Sequence, residues 1–199
     1  MTDDQRGHPI LADMFRHNLW ANLILIDLCA TLPDEILETN VPGTYGGICE
    51  TLTHLVGAEE RYVSAFQGGP ERRNPTLEET SPDLATLREH ARQSGEGFVA
   101  YAETVEDNPT LQVTWRGQSY EMPAALFLVQ AINHATEHRT QIKTALTQAG
   151  LTPPELDAGP GMTRAENRPS NDSRSRGALS GFHCRLHPVR EPASAWWFA

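Results

Sequence analysis

The sequence predicts an all-α protein in which four long helices pack as a bundle. Apolar residues recur at three- and four-residue spacing over four separate stretches, which is the period of an amphipathic helix. Segments rich in Pro and Gly separate these stretches, and such segments end helices. A chain of 199 residues is also long enough to enclose one well-buried core.

The first predicted helix spans residues 10–31, and Pro33 and Asp34 after it are the residues that stop it. Its apolar stripe is almost too wide for a surface helix and is typical of a helix buried on two sides. Asn18 and Asn22 interrupt this stripe one turn apart. Two interpretations stay open: the pair is hydrogen-bonded at a seam between helices, or one of them points into a polar pocket.

The second predicted helix covers residues 47–67, before the Gly-Gly-Pro segment at 68–70 that ends it. His54 lies beside the apolar face of this helix rather than opposite it. Glu59 and Glu60 follow His54, and Glu59 is nearer to the face of that histidine. We expect Glu59 to be solvated or ion-paired, with a role beside His54 as the alternative.

The third predicted helix begins at the Ser-Pro-Asp sequence of residues 81–83 and runs to about Asp107. The serine is the expected N-cap, followed by proline in the first turn and an early acidic residue. Gly95 and Gly97 weaken the helical pattern, so the middle of this helix has room for a bend.

The stretch 110–121 alternates apolar and polar residues and contains an Arg-Gly turn signal. This pattern predicts a short hairpin-like connector rather than a helix. The fourth predicted helix begins at Pro123 and ends at Gly150. The connector therefore leads directly into the last helix of the bundle.

The composition changes after the last predicted helix. We assign residues 1–157 to one domain and residues 158–199 to a tail rich in Arg, Ser and Pro, which we predict to be disordered. His183, Cys184 and His187 in this tail have the chemistry of metal ligands. Because no helix or strand pattern surrounds them, we expect no specific site there.

The charge and the apolar runs limit the classes of partner. A net charge of −10 argues against a nucleic-acid-binding surface and against an anionic membrane. The chain has no apolar run of about 18 residues, so no membrane span is predicted. The N-terminal segment has no apolar signal-peptide core, and the three cysteines form no CxxC pair. These features predict a cytoplasmic protein.

Three histidines are the candidate ligands of one metal ion. His134 and His138 stand four residues apart in the fourth predicted helix, which places both imidazoles on one face. A mononuclear site needs a third ligand, and His54 is the best candidate. Three imidazoles suit zinc, nickel, copper or iron and leave one coordination position open, so such a site is potentially catalytic. Because this spacing also occurs by chance, ordinary core or surface histidines are the alternative.

Three further residues, Glu137, Gln141 and His17, are candidates for a place near the three histidines. Glu137 is either an exposed residue beside Arg139 or a carboxylate that accepts a hydrogen bond or a proton at the site. Gln141 continues the face of the two helical histidines and is a candidate hydrogen-bond partner for one of them. His17, on the first predicted helix, is a further candidate to approach the same pocket.

The motifs HNLWANLILIDL, GTYGGICETLTHLVGAEERYV and LFLVQAINHATEHRTQI, in this order and spacing, resemble the DinB (damage-inducible, YfiT-like) family. The resemblance covers roughly residues 10–157 and implies a four-helix bundle of up-down-down-up topology. It also implies a metal triad of one histidine on the second helix and an HxxxH pair on the fourth, here His54, His134 and His138. The tail beyond this match is then either a genuine extension or the product of a shifted reading frame.

The resemblance also implies an activity. Related proteins look like thiol-dependent S-transferases or isomerases that use low-molecular-weight thiols such as bacillithiol or mycothiol. We therefore expect an enzyme that depends on one divalent metal ion, zinc or nickel first and manganese or iron next. Its partner would be a small-molecule substrate, including such a thiol.

Two other functions stay open at this point. One is a metal-dependent hydrolase, and the other is a non-catalytic metal-binding stress-response bundle that acts through dimerisation. A homodimer is expected from the strongly apolar helices. A pocket lined by Asn18, Asn22, Gln141 and a carboxylate would favour an enzyme, whereas an apolar lining would favour the non-catalytic protein.

Overall fold

The computed structural model describes residues 7–66, 82–115 and 118–159. Within these ranges the chain forms five helices and one two-stranded sheet. In chain order they are α1 (Pro9–Cys29), α2 (Asp34–Leu37), α3 (Ile48–Phe66), α4 (Leu84–Thr104), β1 (Thr110–Trp115), β2 (Gln118–Pro123) and α5 (Ala124–Gln148). The mainly helical class is confirmed. The one-turn helix α2 was not predicted, because four residues are too few to show a period.

The four long helices pack around a shared interior. Helix α1 contacts α4 and α5, and α3 contacts the same two helices. Two clusters of buried side chains fill this interior, and in one of them the rings of Phe15 and Phe98 stack at 4.6 Å. None of the described helices combines the length and the apolar character needed to cross a lipid bilayer.

The two glycines of α4 allow a close approach of neighbouring helices. A Cβ atom on Gly95 would lie 2.6 Å from Leu19 Cδ1, and one on Gly97 would lie 2.8 Å from Val63 Cγ1. Helix α4 continues through both positions without interruption. The missing side chains therefore allow close contact between helices, and the room for a bend stays a prediction.

The N-cap of α4 is Asp83, so the predicted serine cap is wrong. The Asp83 side chain accepts a hydrogen bond from the Thr86 backbone N–H at 2.6 Å. A carboxylate at this position pairs one of the free N–H groups of the first turn and interacts favourably with the helix dipole. The expected cap, Ser81, lies outside the described residues.

The hairpin-like connector is confirmed. Strands β1 and β2 pair antiparallel from Thr110 opposite Pro123 to Trp115 opposite Gln118. The Ala124 backbone N–H then donates to the Pro109 carbonyl at 2.8 Å. This bond joins the end of the hairpin to the start of α5, the helix that carries two of the candidate ligands.

The segment after α5 returns to α1. Leu156 packs against Trp20 and Ala21, and its carbonyl lies 2.8 Å from His17 Nε2. The predicted domain boundary after residue 157 stays a prediction. Most of the predicted tail, including its histidines and cysteine, lies outside the described residues.

A buried polar layer joins all four long helices. Glu59 on α3 has no exposed surface, so it is not solvated, and the charge of Arg139 that acts on it agrees with the ion-paired half of the expectation. Its Oε1 accepts hydrogen bonds from Asn18 Nδ2 at 2.6 Å and Asn22 Nδ2 at 2.9 Å, both on α1. Ser94 on α4 donates to Oε2 at 3.3 Å. The two asparagines are therefore hydrogen-bonded at a helix seam, which confirms the first of their two interpretations.

Arg139 on α5 completes this layer. Its Nη1 donates to Asn18 Oδ1 at 2.6 Å and to Asn22 Oδ1 at 2.7 Å. The guanidinium and the carboxylate of Glu59 are thus bridged by two amide groups, each of which donates to the acid and accepts from the base. Arg139 is 7% exposed, which is rare for an arginine unless its charge is compensated.

Burial and hydrogen bonding act in opposite directions on the layer. Burial raises the pKa of Glu59 above 4.5, while the Asn18, Asn22 and Ser94 hydrogen bonds and the Arg139 charge oppose this rise. Burial also lowers the pKa of Arg139, and the charge of Glu59 opposes that change. Each charge therefore reduces the cost of burying the other.

Substitution of Glu59 tests the layer. We expect Glu59→Gln to keep the hydrogen bonds, because an amide oxygen accepts from both asparagines and an amide N–H donates to the Ser94 hydroxyl. Glu59→Gln and Glu59→Leu both remove the negative charge that compensates Arg139, but only Glu59→Leu also removes the hydrogen-bond acceptors. The free energy of unfolding of Glu59→Leu should fall by about 3–5 kcal/mol, as measured by urea unfolding beside the wild type.

The pH dependence of the same proteins gives a second measurement. Because the folded pKa of Glu59 is raised above 4.5, the folded state keeps this proton to a higher pH than the unfolded state. The wild-type free energy of unfolding should therefore fall, relative to Glu59→Gln, as the pH rises from 4.5 through the folded pKa. Parallel pH profiles of the two proteins would contradict the raised pKa.

Candidate metal centre

Two packed helices bring the three predicted ligands together. His54 projects from α3, while His134 and His138 project one turn apart from α5. These two helices are in contact, so residues far apart in the chain share one site. His134 and His138 are 7% and 6% exposed, whereas His54 is half-buried and forms the accessible side of the triad.

The spacing of the imidazoles suits a single metal ion. His54 Nε2 and His138 Nε2 each lie 3.1 Å from His134 Nε2. The ligand atoms of the three residues all lie within 4.8 Å of one another. Metal–nitrogen bonds of about 2.0–2.1 Å place adjacent ligand nitrogens roughly 3 Å apart. The donor atoms and their distances therefore fit a divalent ion.

Gln141 selects the tautomer of His138. Its Oε1 accepts a hydrogen bond from the Tyr45 backbone N–H at 3.1 Å, which identifies this atom as the amide oxygen. The same oxygen lies 3.0 Å from His138 Nδ1, so Nδ1 carries the proton. The lone pair of His138 is then on Nε2, which faces the other two histidines. The predicted role of Gln141 as a hydrogen-bond partner is confirmed.

His134 has one buried atom without a partner. Among the described residues, His134 Nδ1 makes no hydrogen bond. The ring of Tyr62 stands edge-on to the His134 ring at 6.2 Å and fills part of the space around it. Unpaired buried polar atoms are rare in stable cores, and their presence here is consistent with a functional site.

All three histidines are held in the neutral form. Burial lowers the pKa of His54 to about 2 and that of His134 to about 3, with further lowering by neighbouring histidines and by Arg61. Burial also lowers the pKa of His138, which the Gln141 hydrogen bond and the charge of Glu137 oppose. Neutral imidazole is the form that binds metal ions, so the triad is ready to act as a ligand set.

Tyr45 covers one side of the triad and was not found from the sequence. Its ring stacks on His54 at 3.9 Å and meets the edge of His138 at 5.6 Å. It lies in the loop between α2 and α3, where a positive φ at Gly43 turns the chain. A loop has no periodic pattern, so only the aromatic residue in the Gly-rich segment could have suggested this role.

The other candidates lie elsewhere. His17 faces the Leu156 carbonyl and the Trp20 ring, not the triad. Glu137 is exposed, as its first interpretation expected, but Arg139 is buried rather than beside it at the surface.

Glu60 also lies away from the candidate centre. Its Oε1 is 2.5 Å from His90 Nδ1, a contact between α3 and α4. His17, Glu60 and the exposed Glu137 therefore supply no further ligand, and the site consists of the triad with Gln141, Tyr45 and Tyr62 around it.

Known proteins resemble this chain in sequence and fold. A sequence model of the DinB family matches residues 1–169. Protein DinB of Bacillus subtilis (strain 168) is 22% identical over 154 residues, which cover 73% of this chain and 90% of that protein. A crystal structure of a DinB-like protein from Bacillus cereus ATCC 10987 aligns with a TM-score of 0.58 and 21% identity. The alignment covers 76% of this chain and 98% of that one, and it concerns the fold alone.

Loss of any triad histidine should abolish metal binding. Untagged wild-type protein is expected to hold about one equivalent of metal by elemental mass spectrometry, and His54→Ala, His134→Ala and His138→Ala close to none. His17→Ala and His90→Ala are matched controls, since both histidines are bonded away from the triad. Equal metal content in wild type and triad variants would contradict the site.

Gln141 should affect metal affinity without being a ligand. Gln141→Leu removes the acceptor that fixes the His138 tautomer, so zinc affinity should fall by about 10- to 100-fold in competition with a chelating indicator. Gln141→Glu keeps an acceptor and should retain most of the affinity. Gln148→Leu is the control, because Gln148 is exposed at the end of the same helix. Unchanged affinity in Gln141→Leu would mean that the tautomer is set by other means.

Proposed function

The chain belongs to the DinB family, and we propose that it is a divalent-metal-dependent enzyme that acts on a small molecule, in the manner of a thiol S-transferase. His54, His134 and His138 would hold the metal. One observation carries the proposal: three neutral imidazoles converge, and no fourth Cys, His, Asp or Glu joins the cluster within the described residues. Three protein ligands leave a position open, as in catalytic rather than structural zinc sites.

The donor set favours certain metals. Three imidazole nitrogens suit zinc or nickel best, with iron or manganese as the next candidates. When bound, such an ion would lower the pKa of a thiol or of water that reaches the open position, and so supply a nucleophile near neutral pH. The low pKa values of His54 and His134 mean that protons do not compete for these ligands at neutral pH.

Residues of this chain would shape the rest of the site. Gln141 holds His138 with Nε2 turned toward the other ligands. Tyr45 shields one side of the triad yet is 38% exposed, so a small molecule can approach along it. In the reaction, the thiol sulfur would form a bond to an electrophilic carbon, the leaving group would take the electron pair, and the thiol proton would pass to it or to water.

The side chains around the three histidines support an enzyme in part. Gln141 lies at the triad, but Asn18 and Asn22 are bonded within the buried polar layer and do not line the site. The rings of Tyr45 and Tyr62 stand around the histidines instead. The hydrogen bond of Gln141 to His138 is the polar feature of the lining that supports the catalytic proposal.

We also propose the family's finer architecture and a homodimer. The contacts of α1 and α3 with the same two helices support an up-down-down-up bundle. Exposed apolar side chains on α1 and α5 support association of two copies: Ile10, Met14, Leu126 and Val129. The absence of nucleic-acid and anionic-membrane partners is proposed from the net charge of −10, and the cytoplasmic location stays a prediction.

A direct assay tests the proposed function. Protein loaded with zinc or nickel is mixed with bacillithiol or mycothiol and a panel of small electrophiles, and loss of free thiol is followed. We expect thiol consumption with the wild type and not with His134→Ala. Ester or amide cleavage without thiol would indicate the hydrolase instead. Metal binding without either activity would overturn catalysis and favour the non-catalytic bundle.

A further inference from the structure

Arg61 differs from every other described arginine. It is half-buried on α3, and within the described residues it makes neither a hydrogen bond nor an ion pair. Each of the others has polar partners: Arg16 with Asp13 and Glu103, Arg88 with Asp27, Arg92 with Glu89 and Glu96, and Arg139 with Asn18, Asn22 and Thr136. An arginine whose donors have no partner among the described residues is free to bind an anionic ligand.

Arg61 lies beside the candidate metal centre. It follows His54 by seven residues, which is two turns along the same face of α3. The next residue, Tyr62, has its ring 6.2 Å from the ring of His134. Burial is the main influence on the pKa of His54, His134, Tyr45 and Tyr62, and the charge of Arg61 lowers the pKa of each. Arg61 therefore projects from the same face of α3 as His54, and a helical side chain leans toward the N-terminal end of its helix, where His54 lies.

The charge balance of this region requires an anion. The three ligands are neutral, so a divalent ion on them would keep its full charge and add to that of Arg61. Three carboxylates act on residues of this region, but Glu59 is bonded within the buried polar layer, Glu137 is exposed and Glu50 is half-buried, and none of them pairs with Arg61. Two uncompensated positive centres in a partly buried site repel each other unless a negative group binds between them.

We propose that Arg61 binds a carboxylate of the substrate, so that the small molecule used at this site is an organic acid whose reacting group reaches the metal. A guanidinium forms two parallel hydrogen bonds with a carboxylate and thereby orients it. A single unpaired cation matches one negative charge better than the two charges of a phosphate. This inference rests on the proposed function, because it places the reacting end of the substrate at the triad.

Mercapto acids test the inference without measuring turnover. Cobalt(II) replaces the native metal, and the absorption of a cobalt–thiolate bond reports binding of the sulfur. Mercaptoacetate, 3-mercaptopropionate and 4-mercaptobutyrate are compared with alcohols of the same length. We expect at least one acid to bind the wild type about 10-fold more tightly than its alcohol, which is the usual strength of a charge-assisted hydrogen bond.

Variants at position 61 test whether Arg61 causes the preference for the mercapto acid over the alcohol. Arg61→Gln should bind cobalt and the mercapto alcohol as the wild type does, yet lose the preference for the acid. Arg61→Lys should retain part of the preference, since it keeps the charge without the paired donors. Arg92→Gln, a surface arginine on α4, is the control and should behave as the wild type.

The outcomes separate the two proposals. Failure of the wild type to bind cobalt would overturn the proposed function itself. Cobalt binding with equal affinity for acid and alcohol, or a preference that survives Arg61→Gln and Arg61→Lys, would overturn only the role of Arg61. A stronger preference for 2-mercaptoethylphosphonate, lost in Arg61→Gln, would overturn the assignment of a carboxylate. Loss of the acid preference in a folded Arg61→Gln protein that still binds cobalt supports the inference.

Discussion

The buried carboxylate of Glu59 is the constraint on which the arrangement of the helices depends. A charge without exposed surface must be compensated, and here the other three long helices supply the partners: Asn18 and Asn22 from α1, Ser94 from α4 and, through the two asparagines, Arg139 from α5. Sliding α5 by one turn would remove Arg139 from the two asparagines that bridge it to Glu59. Because His138 precedes Arg139 directly, the same constraint sets where the candidate ligands on α5 meet His54.

The interior contains two kinds of polar group: those that hydrogen-bond to one another and stabilise the fold, and those at the triad that are available to a ligand. In the Glu59 layer the protein's own donors and acceptors satisfy one another. At the triad, His54 Nε2 and His138 Nε2 each lie 3.1 Å from His134 Nε2, and His134 Nδ1 has no partner among the described residues. A protein tolerates such groups where a ligand completes them, and Arg61 next to the triad follows the same rule.

Local sequence patterns predicted much of the helical framework. The ends of the four long helices, the hairpin before α5 and the partnership of Gln141 with His138 follow from periodicity and from spacing along one helix. The errors concern residues whose environment is set by other helices. Glu59 was expected to be solvated or ion-paired and is fully buried, and the burial of Arg139 was not predicted.

The chain alone therefore reveals which segments are helices and which histidines could act together, since helix period and a four-residue spacing are properties of neighbouring residues. Packing determines what no local pattern contains: the bridge from Asn18 to Arg139 across 121 residues, the stacking of Tyr45 on His54, and the position of Arg61 without a counter-ion among the described residues. These features depend on which faces of distant helices meet, and that choice is made by burial of the whole core rather than by any single segment.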